Sequence, residues 1–430
     1  MSGAPGLGGG LSPLVGRAPG PSSRTGRPPL VGRAPGPSSR TGRPRLVGLP
    51  PLVEPGPELE PERAARFARH LTLPGVGVEG QRRLAHARVL VIGAGGLGAP
   101  AIQYLAAAGV GRITVIDDDR VERTNLQRQV LHTEGDVGRP KAESARDAVG
   151  LRDGAVQVTA LVERLHPGNA LELFSAHDLV LDGSDNFATR YLSNDAAELT
   201  GTPLIWGSIH RFDGQLSVFW PGRGPMLRDL FPDIPDADSI EDCATGGVFG
   251  VLCGAVGSAM AAEALKLICG IGEPLLGRLA RYDALAARWG ELRFAADPDR
   301  PPVTSLEEVA AVCRAVAPAG RADDISVGEV AARLASDQSG LVVVDVRTAA
   351  ERAVSAIPGS RHVPLDRILA EGWPAIAAEL GDAATDGRDI VVTCQVGIRS
   401  ARAIDALAAT APSGTPLRNL VGGVDAWTAH

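Results

Sequence analysis

A glycine-rich turn between a short apolar strand and a helix constrains the fold of this chain more than any other feature. Residues 88–92 (RVLVI) have strand composition, residues 93–98 read GAGGLG, and a helical pattern then runs to Gly109. Glycines permit positive φ in such a turn and let backbone N–H groups approach a phosphate at the helix N-terminus. Because a second apolar run follows at residues 113–116, the segment predicts a nucleotide-binding α/β domain.

Strand-like and helical segments alternate twice along the chain, with a polar, proline-bearing stretch between the two series. A length of 430 residues fits more than one domain. Each series predicts its own largely parallel sheet. We therefore divide the chain into a disordered tail at 1–60, a first α/β domain at 61–295, a linker at 296–322 and a smaller α/β domain at 323–430.

The N-terminal tail is rich in Arg, Pro, Gly and Ser and contains a tandem repeat. Residues 13–28 read PLVGRAPGPSSRTGRP, and residues 29–44 repeat them letter for letter. Such a unit buries too little apolar area to offset the entropy lost on ordering. Two origins stay open: a transit peptide, which the prolines and glycines disfavour, and translated sequence upstream of a later start.

Composition excludes several classes of protein. A net charge of −7 and a pI near 5.7 argue against a dedicated nucleic-acid binder. Five cysteines with no Cys-x-x-Cys pair exclude a disulfide scaffold and a cysteine-ligated zinc site, and they fit a reducing, cytoplasmic compartment. The longest apolar run, Val248 to Ala262, is shorter than the roughly 20 residues that span a bilayer, so we expect no membrane association.

Polar residues after the second strand favour a triphosphate over a nicotinamide cofactor. Asp117 ends that strand and can hold ribose hydroxyls, but the glycine turn and this acid do not by themselves distinguish NAD from ATP. Asn125, Arg128 and Lys141 then add an amide and two cations. A neutral nicotinamide needs no such set, whereas a triphosphate that loses pyrophosphate does. Lys141 is one of two lysines in an arginine-biased chain, which suggests that it is not interchangeable with arginine.

A further buried strand is predicted at residues 179–182, followed by the turn GSDN at 183–186. Open α/β sheets bind ligands beyond the carboxyl ends of their strands. Asp185 is therefore expected to hold Mg²⁺ on the phosphates, to cap a helix predicted over Phe187–Thr200, or to do both.

The motifs GAGGLG, IDDDRVERTNLQRQ, VGRPKAESA and LDGSDN resemble the MoeB/ThiF adenylyltransferases, relatives of ubiquitin-activating enzymes, over about residues 66–294. The resemblance implies a Rossmann-like fold and ATP-dependent adenylation of the C-terminal Gly-Gly carboxylate of a small ubiquitin-like sulfur carrier. Asp185 would bind Mg²⁺, and Arg69 matches an arginine that reaches ATP from the other subunit, which implies a homodimer. The remaining ATP-binding residues implied by matching motifs are Gly93, Gly95, Gly96, Gly98, Asp117, Asn125, Arg128 and Lys141.

Cysteine placement departs from the family pattern at one point. Many members hold a structural zinc with two Cys-x-x-Cys pairs, but the corresponding stretches, 224–229 and 297–301, contain no cysteine. The resemblance therefore implies no zinc and matches a subgroup called MoeZ. Cys243 precedes a long apolar helix, where a thiolate is favoured, and in the family such a cysteine accepts the carrier or takes part in sulfur transfer. A buried, nonessential thiol is the alternative for Cys243, and we expect Cys253 and Cys269 to be core residues.

The second domain contains a cysteine between a strand and a helix. Residues 390–393 form an apolar strand that runs into the loop CQVGIR at 394–399, and a segment of helical composition follows. Backbone N–H groups, the helix dipole and Arg399 would all favour a thiolate at Cys394. A Cys-x-x-x-x-Arg loop suits either a persulfide carrier or a phosphatase nucleophile.

The segments DVR, IPGSRHVPL, CQVGIR and NLVGGVDAW resemble a rhodanese sulfurtransferase over about residues 325–428. The resemblance implies that Cys394 carries a persulfide and that Arg399 closes the loop, while Asp345 and Arg347 form an ion pair or shape the pocket. The second loop position, commonly basic in members that use thiosulfate, is Gln395. The sulfur donor, thiosulfate or a protein persulfide, therefore stays open.

The two resemblances together predict an enzyme that activates a carrier with ATP and then transfers persulfide sulfur to give a thiocarboxylate. Two alternatives remain. An NAD-dependent Rossmann oxidoreductase leaves Arg128, Lys141 and the Cys394 loop unexplained, and a non-catalytic scaffold is disfavoured because the glycine turn and Cys394 are retained. Whether the sulfur serves molybdopterin, thiamine or cysteine synthesis stays open.

Overall fold

The computed structural model describes residues 49–234, 247–310, 323–336, 340–384, 386–395 and 397–430. Two separate sheets lie within these residues, one of eight strands and one of five. Each sheet has its own hydrophobic clusters of buried side chains. The prediction of two α/β domains with parallel sheet cores is therefore confirmed.

The first sheet has the strand order β3-β2-β1-β4-β5-β6-β7-β8. The pairs among β3, β2, β1, β4 and β5 are parallel, whereas β5 to β8 pair antiparallel. The order reverses beside β1, and ligands bind at such a point beyond the carboxyl ends of the strands. The strands are β1 (Arg88–Ile92), β2 (Arg112–Ile116), β3 (Gln157–Leu161), β4 (Leu179–Asp182), β5 (Leu204–His210), β6 (Asp213–Phe219), β7 (Arg278–Asp283) and β8 (Arg288–Arg293).

Helices cover both faces of this sheet, because strands such as β1 carry apolar side chains on both faces. Val89 and Val91 belong to the hydrophobic cluster on one face, and Leu90 and Ile92 to the cluster on the other. A strand buried on both sides reads as a continuous apolar run, as RVLVI does. The helices of this domain are α1 (Pro61–Arg66), α2 (Ala68–Leu71), α3 (Gly77–His86), α4 (Gly98–Ala107), α5 (Lys141–Arg152), α6 (Ala170–Ala176), α7 (Phe187–Thr200), α8 (Leu227–Leu230) and α9 (Gly250–Cys269).

Helix α9 is longer than the apolar run that predicted it, because it continues through Glu263. The Glu263 carboxylate is buried but compensated, since it pairs with Lys266 and accepts the Leu275 N–H at 3.0 Å. In length and mean hydropathy (1.6) α9 is the helix of the described chain that could cross a membrane. However, 56% of it is buried inside the domain, as expected of a core helix.

Packed chain begins before the boundary predicted near Pro61. Val53 is only 6% exposed within the first hydrophobic cluster, and the Leu52 N–H donates to the Leu267 carbonyl at 3.0 Å. Part of the predicted linker also packs on the first domain, because Leu306 and Val309 are buried in its second cluster. Residues 49–60 and 296–310 therefore contribute to the first domain.

The two stretches that lack zinc-binding cysteines lie side by side and are joined by an ion pair. Arg300 Nε donates to Asp229 Oδ1 at 2.7 Å, the Asp297 N–H donates to the same oxygen at 3.1 Å, and Arg300 also pairs with Glu198 at 3.0 Å. Burial raises the pKa of Asp229, but hydrogen bonds from Met226, Arg300 and Asp297 outweigh it and hold that pKa below its usual range. The ion pair thus fastens the end of the first domain.

We expect the substitution Arg300→Ala to destabilise the first domain by roughly 1–3 kcal/mol, because it leaves the buried Asp229 carboxylate without its charged donor. Urea unfolding of the full chain measures this loss. The matched control is Arg123→Ala, whose partner Glu134 is exposed, so that about 0–1 kcal/mol is expected. Equal losses in the two variants would contradict a structural role for the Asp229–Arg300 pair.

The second sheet is entirely parallel, with the order β11-β10-β12-β13-β9. Val344 and Val392 face one hydrophobic cluster, and Val343 and Val391 face the other, so this sheet is also buried on both sides. The strands are β9 (Asp324–Ile325), β10 (Leu341–Asp345), β11 (Arg361–His362), β12 (Asp389–Thr393) and β13 (Leu417–Leu420). The helices are α10 (Val327–Leu334), α11 (Ala349–Val354), α12 (Leu365–Glu371), α13 (Trp373–Leu380), α14 (Ile398–Ala408) and α15 (Gly423–Ala429).

Candidate active sites

The glycine turn and the GSDN turn meet because they follow neighbouring parallel strands. Ile92 at the end of β1 is paired with Asp182 at the end of β4. A cavity of about 200 Å³ opens between the two turns. The residues predicted for nucleotide binding that line this cavity are Gly93, Gly95, Gly96, Asp117, Arg128, Lys141 and Asp185.

The glycines of the turn serve two different purposes. Gly93 has a φ of +85°, which side chains disfavour, and a Cβ at Gly98 would overlap the Gly93 carbonyl oxygen. Gly95 and Gly96 line the cavity, where their backbone can approach a ligand closely, whereas Gly98 lies outside the lining and begins α4. Gly98 is thus needed for the close packing of helix on strand.

Asp117 fixes the glycine turn from the end of β2. Its Oδ2 accepts the Ala94 N–H at 2.7 Å, and its Oδ1 accepts the Asp119 N–H at 2.8 Å. Burial raises the pKa of Asp117 to about 6, although the positive charge of Lys141 opposes the rise. The carboxylate is therefore ionised at neutral pH and gains a proton in mildly acidic solution.

We expect the affinity for ATP to fall as the pH is lowered through about 6. A raised pKa means that Asp117 loses its charge there, and a neutral carboxyl accepts ribose hydroxyls less strongly. Because phosphate groups also titrate near pH 6, the test compares the pH dependence of the ATP dissociation constant in the wild type and in Asp117→Asn. Identical pH profiles for the two proteins would contradict the assignment.

Lys141 and Arg128 both line the cavity. Lys141 is the first residue of α5, its side chain is 8% exposed, and its Nζ lies 2.8 Å from Asp119 Oδ2. Arg128 donates to the Thr124 carbonyl at 3.2 Å. Asn125 is buried and is not part of the cavity lining; its Oδ1 accepts the Glu122 N–H at 3.3 Å and so supports the turn before Arg128.

The structure assigns the cap of α7 to Asn186 and not to Asp185. The Asn186 Oδ1 accepts the Thr189 N–H at 2.9 Å, whereas the exposed Asp185 side chain lines the cavity. Asp185 therefore remains available for a metal ion, and of the alternatives considered for it the helix cap is excluded. Arg69, on α2, is exposed and does not line this cavity in a single chain.

Arg190 is a cavity residue that the sequence analysis missed. It is 6% exposed, donates to the Ser184 carbonyl at 3.2 Å, and packs its guanidinium over the rings of Phe187 and Trp206. It lies one helical turn after Asn186 inside a helix pattern, so its position along the chain gave no signal of a binding role.

Three consecutive acids form the one group of His, Cys, Asp or Glu side chains, among the residues that the structure describes, that could share a metal ion. Most of their carboxylate oxygens already accept hydrogen bonds or form ion pairs with other residues of the chain. Asp117 accepts two N–H groups, Asp119 pairs with Lys141, and Asp118 pairs with Arg164 at 3.1 Å. Asp185, which has no such competing partner in the described chain, fits a magnesium ion on phosphates better.

Cys394 lies fully buried where β12 ends. Its Sγ accepts the Gly397 N–H at 3.1 Å and lies 3.5 Å from Ser400 Oγ, which also donates to Asn419 at 2.7 Å. Gly397 has a φ of +97°, a conformation that favours glycine and that directs its N–H towards the sulfur. The loop thus directs one backbone N–H group at the Cys394 sulfur.

Arg347 holds the Cys394 loop in place through a hydrogen bond to Gln395. It is fully buried in an ion pair with Asp345 at 2.8 Å, and it donates to Gln395 Oε1 at 2.9 Å and to the Ser355 carbonyl at 2.6 Å. Gln395 in turn donates to Asp425. Burial raises the pKa of Asp425, against the hydrogen bond from Gln395. Asp345 and Arg347 are therefore an ion pair that holds the loop, which was one of the two roles considered.

Arg399 is directed at a neighbouring helix. Its guanidinium pairs with Glu351 of α11, at 2.6 and 3.1 Å, and the two side chains are 23% and 14% exposed. Burial raises the pKa of Glu351, but hydrogen bonds from Arg399 and Thr348 outweigh it and lower that pKa overall. Arg399 thus fastens the end of the Cys394 loop to α11.

Cys243 lies outside the described residues. Cys253 and Cys269 are buried in α9, which confirms the prediction that both are core residues. Burial raises the pKa of the Cys269 thiol to about 11, so it is inert as a nucleophile at neutral pH.

Known proteins match both halves of the chain. The ThiF family matches residues 67–302, and the rhodanese-like domain matches residues 326–430. A probable adenylyltransferase/sulfurtransferase, MoeZ of Mycobacterium tuberculosis, is 46% identical over 88% of this chain and 96% of its own. The adenylyltransferase and sulfurtransferase MOCS3 of Bos taurus is 38% identical over 87% and 88%.

Two further relatives cover the first domain. A sulfur carrier protein adenylyltransferase of Thermus thermophilus is 50% identical over 59% of this chain and 97% of its own. The crystal structure of E. coli MccB, at 21% identity, shares the fold with a TM-score of 0.51 over 56% of this chain and 74% of its own. The first domain therefore has the fold of these enzymes. The chain belongs to the ThiF family and carries a C-terminal rhodanese-like domain.

Proposed function

We propose that this protein uses ATP to adenylate the C-terminal Gly-Gly carboxylate of a small ubiquitin-like sulfur carrier, and then converts the acyl-adenylate to a thiocarboxylate with persulfide sulfur from Cys394. One observation carries the proposal. A cavity with a glycine turn, two cations and an exposed carboxylate occurs in the same chain as a buried cysteine whose sulfur accepts a backbone N–H. The relatives named adenylyltransferase and sulfurtransferase support both halves.

The cavity suits a reaction between anions. A carboxylate that attacks the α-phosphate must approach a negatively charged group and expel pyrophosphate, so positioned cations supply most of the stabilisation. We assign Arg128 and Lys141 to the phosphates, the glycine turn to the phosphate backbone contacts, and Asp117 to the ribose. A magnesium ion held by Asp185 would neutralise charge on the phosphates.

Sulfur transfer follows from the chemistry of Cys394. Its persulfide sulfur attacks the acyl carbon, AMP leaves with the bonding electrons, and an acyl disulfide forms. The thiolate of Cys243 then attacks the Cys394 sulfur, which releases the thiocarboxylate and leaves a Cys243–Cys394 disulfide. A cellular dithiol reductant must supply two electrons to restore both thiols, and a persulfide or thiosulfate donor recharges Cys394.

The assembly and the compartment are further parts of the proposal. Arg69 is exposed on α2 and outside the cavity of its own chain, which suits a contribution to the cavity of a second subunit in a homodimer. The free cysteines Cys253, Cys269 and Cys394 suit a reducing compartment, and we propose the cytoplasm.

Carrier-dependent exchange of pyrophosphate into ATP tests the activity. Purified protein, ATP, Mg²⁺ and a small ubiquitin-like protein that ends in Gly-Gly should give exchange, whereas the same carrier without its last glycine should not. Binding of NAD in place of ATP, measured by calorimetry, would favour an oxidoreductase and overturn the proposal. Absence of exchange with every Gly-Gly carrier supplied would do the same.

A further inference from the structure

His132 joins the glycine turn to the helix that begins with Lys141. Its Nε2 lies 3.0 Å from the Ala94 carbonyl oxygen, and its Nδ1 lies 2.8 Å from Ser144 Oγ. The ring is 5% exposed. Ser144 lies one turn after Lys141 on α5, so one imidazole contacts two elements that line the nucleotide cavity.

The contacts determine which nitrogen of His132 carries the proton. A carbonyl oxygen only accepts hydrogen bonds, so Nε2 must donate to Ala94. Burial lowers the pKa of His132, and the charge of Lys141 lowers it further, so the ring is neutral at neutral pH. In a neutral ring that donates from Nε2, Nδ1 is an acceptor, and it lies 2.8 Å from Ser144 Oγ; the Asp136 carboxylate also faces this hydroxyl and the ring. The ring thus connects α5 to the turn through two directed hydrogen bonds.

The bond from His132 fixes the direction of a backbone N–H group. In a planar trans peptide the carbonyl of Ala94 and the N–H of Gly95 point in opposite directions. Because the Ala94 oxygen faces His132, the Gly95 N–H faces away from the ring, and Gly95 lines the cavity. Within the described residues the Gly95 N–H has no hydrogen-bond acceptor. The Ala94 N–H, which belongs to the preceding peptide, donates to Asp117, so the side chains of Asp117 and His132 hold two consecutive peptides of the turn.

We propose that His132 is a positioning residue for ATP: it aligns the Gly95 N–H and the Lys141 helix on the triphosphate. The role rests on the proposed use of ATP and acts through the backbone of Ala94 and the hydroxyl of Ser144. His132 itself does not touch the nucleotide.

Two substitutions of similar polarity separate positioning from general stability. In His132→Gln the side-chain amide places an N–H near the former Nε2, whereas in His132→Asn the amide is too short to reach Ala94. We expect His132→Asn to raise the dissociation constant of ATP roughly 10-fold to 100-fold. This is the cost of losing one hydrogen bond to a charged group, here the bond from the Gly95 N–H to a phosphate. His132→Gln should restore most of the affinity.

His177 provides the matched control. It is partly buried, whereas His132 is buried, and both of its ring nitrogens are hydrogen-bonded, to the Leu173 carbonyl at 2.6 Å and to Thr114 Oγ1 at 2.7 Å, but it lies outside the cavity lining. Burial lowers its pKa in the same way. His177→Asn should lower the melting temperature as much as His132→Asn and leave ATP affinity unchanged.

Calorimetric titration of the full chain with ATP, without any carrier, measures these affinities, and thermal unfolding checks each variant. A folded His132→Asn variant with wild-type ATP affinity would overturn the proposal. Equal losses of ATP affinity in His132→Gln and His132→Asn would also overturn it, as would an equal loss of ATP affinity in His177→Asn. Because no carrier is present, failure of the carrier-dependent reaction in the wild type contradicts the proposed function separately.

Discussion

Replacing Cys394 with Ala should leave adenylate formation intact and reduce thiocarboxylate production roughly 10³-fold or more, because no other group then carries the sulfur. Cys394 belongs to the second sheet and its own hydrophobic cluster, separate from the sheet that forms the nucleotide cavity. Adenylation therefore does not need its thiol. Mass spectrometry of the carrier detects the replacement of one C-terminal oxygen by sulfur, and pyrophosphate exchange measures the first step.

A second thiol substitution makes the test specific. Cys269→Ala removes a thiol that is buried, and whose raised pKa keeps it protonated, so thiocarboxylate yield should be unchanged. An undiminished yield in Cys394→Ala would show that the sulfur reaches the acyl-adenylate by another route. Loss of pyrophosphate exchange in the same variant would contradict the independence of the two steps.

Replacing Lys141 or Arg128 with Ala should lower carrier-dependent pyrophosphate exchange by roughly 10²–10³-fold, as expected when one donor to a transition-state anion is removed. Folding should survive in both variants. Asp119, the partner of Lys141, has a side chain that is 62% exposed, so water solvates its carboxylate when Lys141 is removed. Arg128 donates only to the Thr124 carbonyl in the described chain, so its removal costs one surface hydrogen bond. Exchange kinetics with saturating carrier and thermal unfolding give the two readouts.

Arg123→Ala is the matched control for these variants. Arg123 precedes Arg128 by a few residues, but its side chain is 77% exposed and pairs with Glu134 on the surface. Its loss should change exchange little, because a surface charge outside the cavity is screened by solvent. Full exchange in either Lys141→Ala or Arg128→Ala would remove that residue from the phosphate site.

Much of the nucleotide cavity could be read from local patterns. The glycine turn, Asp117 and the GSDN turn all follow the ends of apolar strands, and parallel strands bring their carboxyl ends to one edge of a sheet. Patterns of strand and helix therefore predict which segments meet. The same reasoning placed Cys394 between a strand and a helix, where the structure shows its sulfur accepting a backbone N–H.

Local patterns did not determine which way individual side chains are directed. Asn186, and not Asp185, caps α7: the Asn186 Oδ1 accepts the Thr189 N–H, whereas Asp185 lines the cavity. Asn125 and Gly98 belong to the family motifs but serve the geometry of the turns. Arg190 reaches the cavity only because α7 packs against the sheet beside it.

Alternation of strand and helix, glycine spacing and the positions of charged residues were enough to predict two α/β domains, which the structure confirms, and to propose residues for both sites, because these signals are local in the chain. Contacts between distant segments were decided by the packed fold: the Arg300–Asp229 pair, the Arg399–Glu351 pair and the bridge from His132 to Ala94. Hydrogen bonds between such residues depend on distances of a few tenths of an ångström, and only the packing of helices against the sheets determines those distances.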